Sequence, residues 1–142
     1  MLSRRAVLLG TVLWPAPVSA HSGRLGDIRI GHAWALPAAV GDGQVFIPLL
    51  NTGKMADALV AARSDLAGIT ELRRNARYDD PPEQEFALPP GKPFAMRPQA
   101  SHLRLIGLAA PLAIGQRFPV VLDFLNAGEA EIEVHVESTP GA

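Results

Sequence analysis

The sequence contains no cysteine among its 142 residues. That absence excludes a disulfide framework, a thiolate nucleophile and thiolate metal ligands, so a bound metal would need histidine, methionine, carboxylate or backbone ligands. The chain also lacks a large excess of charge of one sign, since its net charge is −1. We therefore expect no nucleic-acid partner, because nucleic-acid-binding surfaces are usually strongly basic.

The first twenty residues are typical of an export signal. The Arg4-Arg5 pair supplies positive charge, residues 6–14 are mainly apolar, and Val18–Ala20 is a small-residue cleavage site. This apolar run is much shorter than the ~20 residues that span a bilayer. We predict a signal peptide over 1–20, export by the general secretory or the twin-arginine route, and a periplasmic chain that begins at His21 with no membrane span.

The remaining chain has no convincing 3.6-residue apolar period in any window of eleven or more residues, so no helix is predicted. Short apolar runs alternate instead with turn residues. The candidate strands are Ile28–Leu36, Gln44–Leu50, Ala58–Ala62, Ile69–Arg73, Gln84–Leu88, Phe94–Arg97, His102–Leu108, Arg117–Leu125 and Glu131–Glu137. Short, evenly spaced strands without crossover helices predict one all-β Greek-key sandwich domain over 21–137, followed by a frayed tail at 138–142.

Two strands carry additional information. In Ile28–Leu36, large side chains alternate with small or polar ones, which predicts that His32 shares an apolar face with Ile30 and Trp34. His32 is therefore interpreted as a hydrogen-bonded, partly buried histidine. Pro48 lies inside the next candidate strand and has no N–H to donate, so that strand is predicted to be at an edge or to contain a bulge.

The most specific pattern runs from Met96 to Phe124. It contains HLRLIGL and, after two further residues, the turn PLAIG. This block resembles the signature of the PCu(A)C-type periplasmic copper chaperones, which reads P-G-G-x-H-x-M-L-x-G-L followed by P-L-x-x-G. Residues 30–35, Asn51–Gly53 and Asp57–Val60 are similar to earlier segments of that family. The resemblance covers nearly the whole predicted mature chain and implies a cupredoxin-like fold.

The resemblance implies that copper(I) is held by two histidines and two methionines, a soft ligand set for a soft ion. Only His102 remains of these four ligands. Arg73 stands where the family has its first histidine, Arg104 where it has its last methionine, and no methionine lies between Arg73 and Phe94. Arginine has no lone pair to offer a metal. The resemblance therefore predicts copper as the bound ion, His102 as one ligand, and an otherwise degenerate copper(I) site.

The replaced positions suggest an ion pair instead of a metal site. Our hypothesis is that Arg73 or Arg104 pairs with a carboxylate of the loop that would have carried the missing methionine. The candidate partners are Asp79, Asp80, Glu83 and Glu85.

Two other histidines are weighed as ligands. After cleavage, His21 would combine its α-amine and imidazole into a copper(II) chelate, and the alternative is a mobile terminus with no function. His135 shares one strand face with Glu131, Glu133 and Glu137, a pattern typical of a solvated surface.

No catalytic residue is predicted, because no serine lies in a nucleophile elbow and Ser101 faces away from His102. A histidine-brace oxygenase, which would use His21, a second histidine and Tyr78, is the alternative to a protein that is not an enzyme. The predicted function is periplasmic copper handling or cytochrome oxidase copper-centre assembly, with a copper-receiving protein of that pathway as partner. The alternative is a metal-free periplasmic binding module on the same scaffold.

Overall fold

The computed structural model describes residues 18–20 and 23–138 of the chain. Within those residues it is all β, with no helix, and the predicted all-β sandwich class is confirmed. The strands are β1 (Val18–Ala20), β2 (Gly23–Leu25), β3 (Ile28–Ile30), β4 (Ala33–Ala35), β5 (Asp42–Phe46), β6 (Leu49–Asn51), β7 (Asp57–Arg63), β8 (Ile69–Arg73), β9 (Phe86–Leu88), β10 (Pro93–Phe94), β11 (His102–Ile106), β12 (Arg117–Phe124) and β13 (Gly128–Val136).

The strands form two sheets. The larger has nine strands in the order β8-β11-β5-β4-β13-β12-β7-β9, with β1 added beside β13. The smaller contains β10-β6-β3-β2. Strand β13 pairs in parallel with both β1 and β4, whereas the other pairs are antiparallel. The parallel contact between β4 and β13 joins segments that are about a hundred residues apart in the chain.

The core lies where the alternating apolar side chains of the strands face inward. On β13, Ala130, Ile132, Val134 and Val136 are all buried, while the residues between them are partly exposed. Strand β12 follows the same alternation over its eight residues. This two-residue period buries one face of each strand and leaves the opposite face for polar side chains, which is where the candidate sites lie.

Two of the predicted strands are in fact each broken in two. Ile28–Leu36 divides at Gly31 and His32, and Gln44–Leu50 divides at Ile47 and Pro48, so that each half belongs to a different sheet. The breaks are adjacent, since Gly31 N donates a 2.8 Å hydrogen bond to the Pro48 carbonyl. A Cβ at Gly31 would lie 3.0 Å from Pro48 Cγ. Pro48 therefore marks the passage between sheets instead of an edge or a bulge within one strand.

Part of the predicted domain organisation lies outside the described residues. This applies to 1–17 of the signal peptide, to His21, and to 139–142 of the tail. The last three residues of the predicted signal peptide form β1 and pair with Ala130–Ile132. The limits of the mature domain stay a prediction. Among the residues that the structure describes, no helix has the length and apolar character needed to cross a membrane.

Candidate functional site

Four ring-bearing side chains form a row across the large sheet: His102 on β11, Phe46 on β5, Trp34 on β4 and His135 on β13. The strand registers align them, and directly opposed residues project from the same face. The Phe46 ring centroid lies 4.5 Å from that of Trp34 and 6.2 Å from that of His102. The row therefore has a histidine at each end, about 14 Å apart for three strand spacings.

Ion pairs surround the first of these ends. The group, here called the arginine cluster, consists of Asp42, Glu71, Arg73, Tyr78, His102 and Arg104. Glu71 Oε1 accepts hydrogen bonds from Arg73 Nη2 at 2.7 Å and Nε at 3.0 Å, and lies 3.5 Å from Arg104 Nη1. Arg104 also donates through Nε and Nη2 to the Asp42 carboxylate. Two guanidinium groups are thus matched by two carboxylates, which leaves no net charge on these four side chains.

The prediction that Arg73 or Arg104 pairs with a carboxylate of the 79–85 loop was wrong. Glu71 and Asp42 pair with them, and the 79–85 loop contributes a backbone carbonyl, that of Asp80, which accepts from Arg73 Nη1 at 2.5 Å. The physical reason is strand geometry, because Glu71 is two residues from Arg73 on β8 and lies opposite Arg104 on β11. The loop carboxylates of Asp80 and Glu83 contact Arg77 and Arg74 instead.

Tyr78 closes the cluster over His102. Its ring centroid lies 3.9 Å from Arg104 Cζ and 5.2 Å from Arg73 Cζ, distances suited to cation–π attraction. His102 is fully buried, and its Nδ1 donates to the Ala100 carbonyl at 2.7 Å. A carbonyl can only accept, so Nδ1 carries the proton and Nε2 is an acceptor. The Tyr78 hydroxyl, 2.8 Å away, therefore donates to Nε2.

Burial lowers the pKa of His102 below its usual value of 6.5, and the positive charges of Arg73 and Arg104 lower it further, against the opposing effect of the Ala100 carbonyl. Burial likewise raises the pKa of Tyr78, although the nearby Arg104 charge acts in the opposite direction. Both groups are therefore neutral near pH 7. That state matches the hydrogen bonds, in which a phenol donates to an uncharged imidazole.

These residues do not fit a copper(I) ion. The two guanidinium groups offer no lone pair, and the lone pair of His102 Nε2 already accepts the Tyr78 hydrogen bond. Copper could reach His102 only after Tyr78 moved away. The role of His102 as a copper ligand stays a prediction. At Arg73 and Arg104, which replace two of the family's ligands, the structure has the ion pairs of the arginine cluster instead of metal ligands.

A second polar group, here called the histidine cluster, consists of His32, His135 and Glu137 at the other end of the row. His32 Nε2 lies 3.0 Å from Glu137 Oε2, and the two imidazole centroids are 5.1 Å apart. One potential ligand atom from each of the three residues lies within 4.8 Å of the other two. His32 follows Gly31 at the break between β3 and β4, His135 is the penultimate residue of β13, and Glu137 directly follows that strand.

The environments of these two histidines differ from the predictions. His32 is hydrogen-bonded, as expected, but 42% of its side chain is exposed because it lies at the strand break instead of within a continuous strand. His135 is not simply part of a solvated face. Its side chain is 25% exposed, and its Nε2 lies 3.1 Å from Glu133 Oε1. The proposed chelate at His21 lies outside the described residues and stays a prediction.

Sequence reasoning missed the contacts that define both clusters. Tyr78 is named from the sequence only as a residue of the oxygenase alternative, although an aromatic residue in the loop after β8 could have been placed over Arg73. His32 and Glu137 are separated by 105 residues, and no local pattern indicates that they meet. The parallel pairing of β4 with β13 brings them together, because it places His135 opposite Trp34, two residues after His32.

Comparisons with known proteins identify relatives over most of this fold. The profile of the family described as "Putative lipoprotein LpqE-like" matches residues 28–136. The chain is 29% identical over 146 aligned positions to "Putative lipoprotein Lxx21020" of Leifsonia xyli subsp. xyli, covering 96% of this chain and 88% of the relative. The match is thus not confined to the signature block.

Solved structures provide a second comparison. The copper-bound PCuAC domain from PmoF2 is 25% identical, with a TM-score of 0.74 over 84% of this chain and 99% of that domain. The apo PCuAC domain from PmoF1 has a TM-score of 0.76 at 21% identity, covering 84% and 100%. The copper(I) form of DR1885 from Deinococcus radiodurans has a TM-score of 0.60 at 19% identity, covering 96% and 87%. The fold is therefore that of the PCuAC domains.

Proposed function

The chain belongs to the LpqE-like family and has the PCuAC fold, and from this we propose that it is an exported copper-handling protein. The observation that carries the proposal is the similarity over 84% of the chain to a PCuAC domain solved with copper bound. The curated relative is described as a putative lipoprotein and two of the solved structures as PCuAC domains, which supports a role in binding and transfer instead of catalysis.

At a finer level, we propose that the protein acts in the periplasm and delivers copper to a receiving protein, with assembly of the cytochrome oxidase copper centres as the process. Copper is the cargo in this role, so its site must be both reachable and reversible. The buried His102 does not meet that requirement while Tyr78 covers it. Copper handling by this chain therefore requires either movement of Tyr78 or ligands in another place.

A competition titration tests the proposal. The exported protein is titrated with copper(I) in the presence of a chromogenic chelator, and separately with copper(II) by calorimetry. We expect a dissociation constant below about 1 µM for at least one oxidation state, which corresponds to roughly −8 kcal/mol. Failure to bind either ion at that level would contradict a role in copper handling.

The arginine cluster favours a second candidate function, a metal-free binding module. Its charges are paired and its histidine is occupied, so this end of the fold is stable without a metal. The chain neighbours of Arg73 and His102, which are Arg74 and Ser101, line a cleft of about 520 Å³. The lining of the cleft combines apolar and charged side chains, among them Arg74, Glu83, Phe86, Lys92, Phe94 and Ser101. A protein that binds neither copper(I) nor copper(II) would favour this candidate.

A further inference from the structure

We propose that the histidine cluster, His32, His135 and Glu137, is a binding site for a divalent transition-metal ion, with copper(II) as the preferred ion. This inference names a site for the proposed function and rests on it. The proposed metal site is not at the arginine cluster, where the ligands of the PCu(A)C family have been replaced. It lies at the opposite end of the same row of rings.

The geometry of the cluster is close to that of a metal site. Metal–nitrogen and metal–oxygen bonds of about 2.0–2.2 Å place neighbouring ligand atoms roughly 3–4 Å apart. The His32 Nε2 to Glu137 Oε2 distance is 3.0 Å, and one candidate ligand atom from each of the three residues lies within 4.8 Å of the others. Small side-chain rotations therefore suffice to surround an ion, without a change in the strands.

The ligand types select the ion. Two imidazoles and one carboxylate are borderline to hard ligands, which suit divalent copper and zinc better than the soft copper(I) ion that the thioethers of the family would hold. Among divalent first-row ions, a given nitrogen and oxygen site binds copper(II) most tightly. Three protein ligands also leave coordination positions for water or for a group of a receiving protein, as in open metal sites.

The surroundings of the cluster are suited to holding and releasing a cation. Glu133 lies 3.1 Å from the His135 imidazole, the kind of carboxylate contact that orients a ligating histidine. Arg117 lies 3.8 Å from the same Glu133 carboxylate and partly offsets its charge. A cleft of about 220 Å³ reaches His135 and Glu137, and His32 is exposed, so an ion can enter without unfolding of the strands.

The decisive variant is His32→Ala, because this side chain is exposed and lies outside the strands, so its removal should leave the fold intact. Copper(II) and zinc(II) are titrated by calorimetry into the exported wild-type protein, His32→Ala and Glu137→Gln. We expect at least tenfold weaker binding of both ions to each variant. The electron paramagnetic resonance spectrum of the copper(II) form should also lose one coordinated nitrogen in His32→Ala.

Glu131→Gln is the matched control, because it removes the same charge from β13 at a position about 20 Å along the chain from Glu137. Binding by this variant should equal that of the wild type. A His21→Ala variant separates the predicted N-terminal chelate. Copper that binds to the wild type and is lost only with His21→Ala, or in none of the variants, overturns this site while the proposed function stands. A wild-type protein that binds no copper overturns both.

Discussion

The two ends of the row of rings across β11, β5, β4 and β13 differ in how their histidines are held. At the arginine cluster, His102 is fully buried, and both of its nitrogens have fixed hydrogen-bond partners. At the histidine cluster, the polar atoms of His32 and Glu137 face each other beside solvent. The same face of one sheet thus carries a closed group with balanced charge and an open group of potential metal ligands.

This difference shows how the metal ligands at one end of a fold can be replaced while the strands that present them are retained. The strands that would present the family's ligands are retained, and the registers between β8 and β11 place Arg73 opposite His102 and Glu71 opposite Arg104. Arginine at these two strand positions needs carboxylates for its charge and hydrogen-bond acceptors for its N–H groups. Glu71, Asp42 and the Asp80 carbonyl supply them. The closed end is therefore a self-consistent polar network.

The largest effect is expected from a change that opens the arginine cluster to a metal ion. Arg73→His with Arg104→Met and Tyr78→Phe would restore two ligand types opposite or beside His102 and would free its Nε2. We expect copper(I) affinity at this end to rise at least a hundredfold, about 2.7 kcal/mol, measured by competition with a chromogenic chelator. Adding His102→Gln to the triple variant should abolish the gain, and a gain that survives this addition would place the copper elsewhere.

Removing one cation tests whether the closed end contributes to stability. Arg73 has a side chain only 5% exposed, and Arg73→Met would leave the Glu71 carboxylate with Arg104 alone and the Asp80 carbonyl without its donor. We expect a loss of about 2 kcal/mol in the free energy of unfolding, measured with urea, since Glu71 is partly solvated. Arg74→Met, at a neighbouring side chain that is 69% exposed, should change it by less than about 1 kcal/mol.

The Tyr78 hydroxyl provides a smaller test of the same end. Tyr78→Phe keeps the ring that contacts the two guanidinium groups but leaves the buried His102 Nε2 without its donor. We expect a loss of about 1–2 kcal/mol in urea unfolding at constant m-value. Ser101→Ala removes a hydroxyl next to His102 in sequence and should change stability by less than about 0.5 kcal/mol. Equal losses in both variants would contradict a specific role for Tyr78.

The smallest effect concerns pH. Because the pKa of His102 is lower in the folded than in the unfolded chain, the unfolded state binds more protons below pH 6.5. Stability should therefore be retained above pH 6.5 and fall as the pH drops from 6.5 toward the folded pKa, by at most about 1.4 kcal/mol per pH unit from this group. His102→Gln should flatten this part of the profile in thermal unfolding. An unchanged profile would show that other groups cause it.

Much of the fold was predictable, because buried residues alternate with more accessible ones over all of β12 and over β13 from Glu129 onward. The strand breaks were not, since the alternation from Ile28 to Trp34 continues across Gly31 where the chain changes sheets. Loss of the family's ligands could be read from Arg73 and Arg104 directly. Their shared partner Glu71 was also predictable in principle, because residues two apart on a strand lie on the same face, although the 79–85 loop has the higher density of carboxylates.

The remaining part of the candidate sites depends on contacts that local sequence does not specify. The histidine cluster requires the parallel register of β4 and β13, which places residues from opposite ends of the domain side by side. The neutral tautomer of His102 requires the Ala100 carbonyl and the Tyr78 hydroxyl, which come from two different loops. Such contacts follow from tertiary packing and not from the period of the strands.

Trp34 lies between the two ends, opposite His135 on one side and Phe46 on the other, and only 6% of it is exposed. The other tryptophan, Trp14, falls within the predicted signal peptide. The exported protein would thus contain one indole, which lies beside the histidine cluster. Along the row of rings, Phe46 separates this indole from His102. The indole fluorescence is a built-in optical sensor, because a paramagnetic ion beside His135 would quench emission from the adjacent ring strongly, while the diamagnetic zinc ion at the same place would leave most of it intact.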